Sequence, residues 1–209
     1  MAALLTSALG RTGLQVTRLG YGAMELRGAP RGREVPPEHA EEVLNAVLDA
    51  GINFIDCANF YGKGRSEDVL GRAMRGKRDD LFITTKVWSR IGPGPNDAGL
   101  SRYHIMREVE RSLKRLDTDH IDVYILHGFD TVTPLEETIR ALDDLVRQGK
   151  IRYFGCSNFA AWQVCKGLWV ADRLNAAPFM CVQNPYSLMD RRLEGEKFGL
   201  VRDQGLGIM

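Results

Sequence analysis

Ile52-Asn-Phe-Ile-Asp56, Leu81-Phe-Ile-Thr-Thr-Lys86 and Ile121-Asp-Val-Tyr-Ile-Leu-His127 are three short apolar runs, each ending on a polar residue of a different chemical kind. Runs of this length fit strands buried on both faces. The segments between them read as helices. Pro37 to Gly51 places Val43, Val47 and Leu48 on one face, with Pro37 near its start and Gly51 at its stop. A helix passes through Glu67 to Met74, and Ser101 caps another that runs to about Leu116. Downstream, Thr133-Pro134 and Glu136-Glu137 open a helix to Gly149, Ile151 to Cys156 is a strand, and Phe159 to Leu174 is a helix. Met180 to Gln183 is a strand, a helix lies around Asp190 to Arg202, and Gly205 to Met209 begins another strand. Upstream, residues 4–18 form a hairpin turning at Gly13, followed by a short strand over Leu19 to Met24.

Strand and helix alternating at roughly 30 residues per unit predict a parallel sheet covered by helices. A doubly wound sheet and an eightfold barrel both satisfy that pattern. A dinucleotide-binding doubly wound domain opens with GxGxxG between strand and helix. Gly20-Tyr-Gly22-Ala-Met-Glu25 supplies the first two glycines, lacks the third, and leads into a loop. The expected fold is therefore α/β of the (β/α)8 TIM-barrel type with an N-terminal hairpin, and residues 1–209 are expected to form one domain.

Composition narrows the function. The 28 Lys+Arg balance 27 Asp+Glu for a net charge of +1, which gives no bulk attraction to nucleic acid. No apolar stretch reaches the roughly 20 residues that span a bilayer. The first residues carry no basic segment ahead of an apolar one, so the expected location is the cytoplasm. Cys57, Cys156, Cys165 and Cys181 lack metal-ligand spacing and are expected to be reduced and mostly buried. No metal site is expected.

In a barrel of this type the active site is built at the C-terminal strand ends. Those ends carry Asp56 with Tyr61 five residues on, then Lys86, His127, Ser157-Asn158 and Gln183. An acid, a phenol, an amine and an imidazole on successive strands form a candidate acid–base site. Each alone has an ordinary structural role: a strand-end Asp caps a helix, a lone Tyr packs, and a lone His is a satisfied core residue. Trp88, just past Lys86, either lines an apolar substrate mouth or packs as a loop aromatic. Arg27, Arg31 and Arg33 form a basic loop that reads first as a solvated one.

Taken in order, these stretches resemble the aldo-keto reductase superfamily, in particular its bacterial-type, aryl-alcohol dehydrogenase-like members. The resemblance runs from Leu9-Gly-Arg-Thr-Gly13 through Asp56-Cys-Ala-Asn-Phe-Tyr61-Gly, Ile83-Thr-Thr-Lys86-Val-Trp and Ile121 to His127. It continues through Gly149 to Phe159 and ends on Val182-Gln183-Asn-Pro-Tyr186. It implies a catalytic tetrad of Asp56, Tyr61, Lys86 and His127. Tyr61 is then the general acid, Lys86 the ammonium that lowers the phenol's pKa, Asp56 the partner of Lys86, and His127 the residue that orients a carbonyl. It further implies NADPH, with NADH as the alternative, held by Gly22, Ala23, Met24, Asp56, Ser157, Asn158 and Gln183. The expected substrate is a small carbonyl compound, and an oligomer is left open.

Against that family the chain is short. It supplies six complete strand–helix units and the start of a seventh strand, where a full barrel has eight in about 250 residues. The expectation is an incomplete barrel missing its C-terminal part, with an unpaired sheet edge that favours aggregation or a partner. Two rival readings follow: an NADPH-binding regulatory or redox-sensing subunit resembling potassium channel β subunits, and an inactive truncated isoform. His127 favours the enzyme, because the channel subunits tend to carry another residue at the matching position.

Overall fold

The computed structural model describes residues 4–27 and 36–209. Its first two strands, β1 (Thr6–Ala8) and β2 (Gln15–Thr17), form an antiparallel hairpin. Seven parallel strands then follow: β3 (Tyr21–Gly22), β4 (Phe54–Asp56), β5 (Phe82–Val87), β6 (Ile121–Leu126), β7 (Ile151–Ser157), β8 (Cys181–Gln183) and β9 (Gly207–Ile208). Each pairs with the next in chain order, so β3 and β9 are the outer strands of the sheet. Between them, among the described residues, run six helices: α1 (Pro37–Asp49), α2 (Arg65–Ala73), α3 (Arg102–Leu116), α4 (Leu135–Arg147), α5 (Ala161–Leu174) and α6 (Glu196–Gln204). This is the architecture of a partial (β/α)8 barrel, with six strand–helix units and a seventh strand, as the sequence predicted.

The strand period explains the layering. All six residues of β5 and all six of β6 are buried, because one face meets helices and the other the barrel interior. Phe82, Val123, Ile125 and Cys181 point inward and join Leu9 and Val16 of the hairpin in a small inner core. The hairpin thereby closes the end of the barrel where the strands begin. The larger core lies outside the sheet, where Ile83, Tyr124 and Leu126 meet Leu113, Leu116, Ile139 and Leu142 of the helices. Two steps of two along β5 carry the inward face from Phe82 through Thr84 to Lys86. The same alternation that buries the bottom of the barrel thus aims polar residues into its top.

The local signals act as read, with two differences. Ser101 Oγ accepts the His104 backbone N–H at 3.3 Å and caps α3, while Asp117 and Asn175 end α3 and α5 in left-handed conformations. The strand expected over Leu19 to Met24 shortens to Tyr21–Gly22, because a 3-10 turn over Ala23–Arg27 rolls Ala23 and Leu26 into the core. The helix expected from Asp190 starts later. Asp190 binds Arg192 in a local turn, so α6 begins only at Glu196. Three cysteines, Cys57, Cys156 and Cys181, are buried; Cys165 is exposed on α5, and all four are free.

Candidate active site

Asp56 ends β4, Lys86 lies one residue from the end of β5, and His127 follows β6 with its backbone N–H on the Val87 carbonyl at 2.9 Å. Lys86 is only 1% exposed. Its ammonium donates to Asp56 Oδ2 and the Cys57 carbonyl at 2.7 Å each, and to Asp56 Oδ1 at 2.8 Å. The Tyr61 hydroxyl lies 3.2 Å from the same nitrogen. His127 meets the Tyr61 ring edge-on, with centroids 6.0 Å apart. The four residues singled out at separate strand ends therefore form one cluster.

Tyr61 reaches it from a tight turn, not from a strand. Gly62 follows at φ 59°, and a Cβ there would lie 2.3 Å from the Arg27 carbonyl oxygen, so only glycine lets the turn close against residues 23–27. Arg27 itself ends that 3-10 segment; Arg31 and Arg33 lie outside the described residues.

The electrostatics differ from the expectation in one respect. Burial raises the Tyr61 phenol above its ordinary value, and Lys86 draws it back only in part because Asp56 opposes Lys86. The expected net lowering is therefore not found: the phenol remains a firm proton holder. For Lys86, burial alone would lower the amine, but Asp56 and Tyr61 outweigh it and the ammonium is favoured. Burial first, then Lys86, push His127 down to about 4, so its imidazole is neutral at pH 7. Its Nδ1 is buried without a hydrogen-bond partner among the described residues.

The residues expected to hold a cofactor stand beside this cluster. Gly22 pairs with Asp56, and Ser157 with Gln183. Asn158, at φ 61°, donates its side-chain amide to the His127 carbonyl and to Ser157 Oγ at 3.0 Å each, and its backbone N–H to the Gln183 carbonyl at 3.3 Å. The Gln183 side chain has no hydrogen-bond partner among the described residues. Gly22, Asp56 and Gln183 border a cavity of about 340 Å³ that reaches down to the hairpin between β3 and β9. Ala23 is wholly buried in the core, backbone included, and presents no surface to a ligand as it stands, whereas Met24 is exposed. Trp88 sits at φ 141°, a strained backbone for a bulky residue, with its indole against Gly128 and part of its surface open.

Sequence reading missed the residues that brace the cluster. Thr84 Oγ1 donates to Asp56 Oδ1 at 2.5 Å; its place two residues before Lys86 on one strand was the available signal. On the opposite face, Thr85 donates to buried Glu67 at 2.5 Å, and Arg115 binds the other oxygen of Glu67 at 2.6 Å. This ties α2, β5 and α3 together behind Lys86. Among the described residues no group of His, Cys, Asp and Glu side chains could hold a metal ion, and no helix is long and apolar enough to cross a membrane.

An acid–base cluster inside the C-terminal mouth of a parallel barrel defines a class of enzyme-like proteins, and comparison names the family. The Aldo/keto reductase family pattern matches residues 18–209, and the chain belongs to that family. It is 40% identical over 205 residues to a probable voltage-gated potassium channel subunit beta of Oryza sativa subsp. japonica, covering 96% of this chain and 61% of the relative. It is 40% identical over 212 residues to the uncharacterized oxidoreductase YrpG of Bacillus subtilis (strain 168), covering 96% of this chain and 64% of that protein. Among solved structures, the holo form of aldo-keto reductase AKR11C1 from Bacillus halodurans superposes with a TM-score of 0.83 at 33% identity, over 99% of this chain and 65% of the other. The chain thus spans a little over 60% of the length of these relatives.

Proposed function

We propose that the chain carries the catalytic half of an NADPH-dependent reductase that converts aldehydes or ketones to alcohols. The observation that carries this reading is the single ammonium of Lys86 shared between Asp56 and the Tyr61 hydroxyl. The residues present fit a nicotinamide. The free amide of Gln183 and the hydroxyl and amide of Ser157 and Asn158 offer the donors and acceptors that a carboxamide needs. Beside them, Gly22 faces open space. When bound, the nicotinamide would supply the hydride.

The chain's own residues would manage the proton. As negative charge develops on the substrate oxygen, Tyr61 Oη gives up its proton to that atom, and Lys86 stabilises the phenolate left behind. Asp56 and the Cys57 carbonyl keep the ammonium 3.2 Å from the phenol, so no reorganisation is needed at that moment. Neutral His127 orients the carbonyl by hydrogen bonding and adds no second charge beside Lys86. Trp88 forms an apolar wall of the mouth. The same reading assigns residues 1–209 to one oxidoreductase domain, a soluble cytoplasmic setting and a small-molecule substrate.

The likeness to plant channel β subunits supports a second reading, a cofactor-binding regulatory subunit with little turnover. Titration with NADPH, followed by aldehyde-dependent NADPH consumption, separates the two. Saturable binding with turnover supports the reductase, binding without turnover supports the regulatory subunit, and no binding rejects both.

A further inference from the structure

Lys197 is the one lysine besides Lys86 that is buried among the described residues, and none of its contacts belongs to the tetrad. It enters from the first turn of α6. Its ammonium donates to the Phe159 carbonyl, in the loop after β7, and to Asn184 Oδ1, in the loop after β8, at 3.0 Å. No carboxylate forms an ion pair with it among the described residues, although Glu196 lies next to it in sequence. Burial pulls its pKa below that of an ordinary lysine, the buried Cys156 thiol being the one opposing influence. A buried cation with only neutral acceptors is costly, and nothing in helix packing requires one where a leucine would serve.

What the two acceptors share is their position. Phe159 follows Asn158 directly and Asn184 follows Gln183 directly. Asn158 is held from the β6 side by its amide on the His127 carbonyl at 3.0 Å, and from β8 by its backbone N–H on the Gln183 carbonyl at 3.3 Å. The Phe159 ring is anchored separately, edge-on to Phe129 at 5.2 Å and to Phe179 at 6.0 Å. Lys197 therefore contributes little to keeping the β7 loop folded; among the described residues it adds a side-chain tie between this loop and its β8 neighbour, one residue beyond the Asn158–Gln183 backbone hydrogen bond. A cavity of about 440 Å³ lies against the same junction, lined by Asn158, Asn184, Arg192, Glu196 and Lys197, so packing alone does not hold the two loops together.

We propose that Lys197 is a positioning residue that clamps the loops after β7 and β8 just beyond the Asn158–Gln183 backbone hydrogen bond, and so holds the Asn158 and Gln183 side chains in the arrangement that a nicotinamide carboxamide would bridge. This rests on the reading of Asn158 and Gln183 given above. It assigns a role in cofactor recognition to a residue that need not touch the cofactor. A lysine suits the role because one ammonium reaches two carbonyl-type oxygens on separate loops, which a single hydroxyl or amide of that length does not do as readily.

The test compares two ligands on wild-type, Lys197→Met and Lys197→Arg chains: NADPH, and 2′-phospho-ADP-ribose, which lacks the nicotinamide. Lys197→Met keeps the length and apolar stem and removes the charge. The expected result is an NADPH affinity about tenfold weaker in Lys197→Met, with 2′-phospho-ADP-ribose bound as by wild type and Lys197→Arg restoring most of the loss. Equal weakening of both ligands would make Lys197 a merely structural residue, and unchanged NADPH affinity would remove it from cofactor recognition; either overturns the proposal. A wild-type chain that binds both ligands alike, with or without Asn158→Ala, would instead overturn the reading of the carboxamide site, and the clamp with it.

Discussion

Two ion pairs, each with one buried and one partly buried member and the same 2.7 Å contact, sit at opposite ends of the barrel strands, Lys86–Asp56 where β5 ends and Arg78–Asp122 where it begins. At the lower end, every nitrogen of the Arg78 guanidinium is engaged. It donates to Thr118 Oγ1 and the His120 carbonyl at 3.0 Å, to the Leu81 carbonyl at 2.9 Å and to Asp122. Asp122 in turn accepts the Ile83 backbone N–H at 2.9 Å. Its other oxygen lies 3.7 Å from Arg152 Nε and 3.9 Å from His120 Nε2, so the group joins the starts of β5, β6 and β7 and faces none of the strand-end cluster. At the upper end, Lys86 is held as firmly, but one of its contacts is a titratable phenol at the edge of an open mouth. A closed pair stabilises; a pair with one contact turned outward can support a proton transfer.

That contrast breaks first on Tyr61. Tyr61→Phe removes the hydroxyl, and with it the transferable proton and the contact with Lys86, so carbonyl reduction should fall by about 10²- to 10⁴-fold while NADPH affinity stays near that of wild type, as measured by turnover and fluorescence titration. Retained turnover would take the acid role away from Tyr61. Next in size is the lower pair. Arg78→Met leaves the Asp122 carboxylate with the Ile83 N–H and only the longer contacts to Arg152 and His120, and should cost about 2 kcal/mol in denaturant unfolding, with turnover per folded molecule unchanged. If activity fell while stability held, the division between the two ends of the barrel would be wrong.

How far the sequence carried differs between the same two regions. The upper cluster could be read because each member ends an apolar run, and a parallel barrel brings such ends together whatever the side-chain details. Lys197 could not: in Glu194-Gly-Glu-Lys197 it looks like a solvated helix-start lysine, and only the packing of α6 against two loops buries it. Glu67 likewise looks like an ordinary acidic residue in a first helical turn, until Thr85 and Arg115 meet it from elements far along the chain. The direction of the Tyr61 shift also escaped, because it depends on whether burial or Lys86 dominates, and the sequence does not give the depth of burial.

A smaller effect tests the charge balance at the top. His127 is held neutral to about pH 4, whereas an unfolded histidine titrates near 6.5. Stability from this residue is therefore complete above pH 6.5 and is lost as pH falls from there toward 4, since only the unfolded chain takes up the proton. Allowing for its partial exposure, the loss is no more than about 2 kcal/mol. His127→Asn should make the fall in unfolding stability across that window shallower, leaving the part due to His104, which burial likewise holds neutral. The wild-type activity profile should likewise show no inflection near 6.5; one there would mean that His127 titrates freely and that Lys86 does not repel its charge.

The smallest effect sharpens the comparison most, because Thr84 lies on β5 between the two pairs and faces the same interior as Lys86. Thr84→Val keeps the shape and removes one hydroxyl donor from Asp56 Oδ1. Lys86 still engages both oxygens of Asp56, and the carboxylate is 21% exposed, so water can replace the lost donor. The stability cost should be about 1 kcal/mol. Turnover should drop by roughly fivefold, the rate equivalent of about 1 kcal/mol, because Asp56 is less firmly aimed and the ammonium it holds is less well centred on the phenol. A loss as large as that of Tyr61→Phe would mean that carboxylate orientation limits the reaction more than the phenol proton. A drop in stability with turnover intact would place Thr84 with Arg78 and Asp122 among the residues that build the barrel and move the functional boundary on β5 up to Lys86 itself.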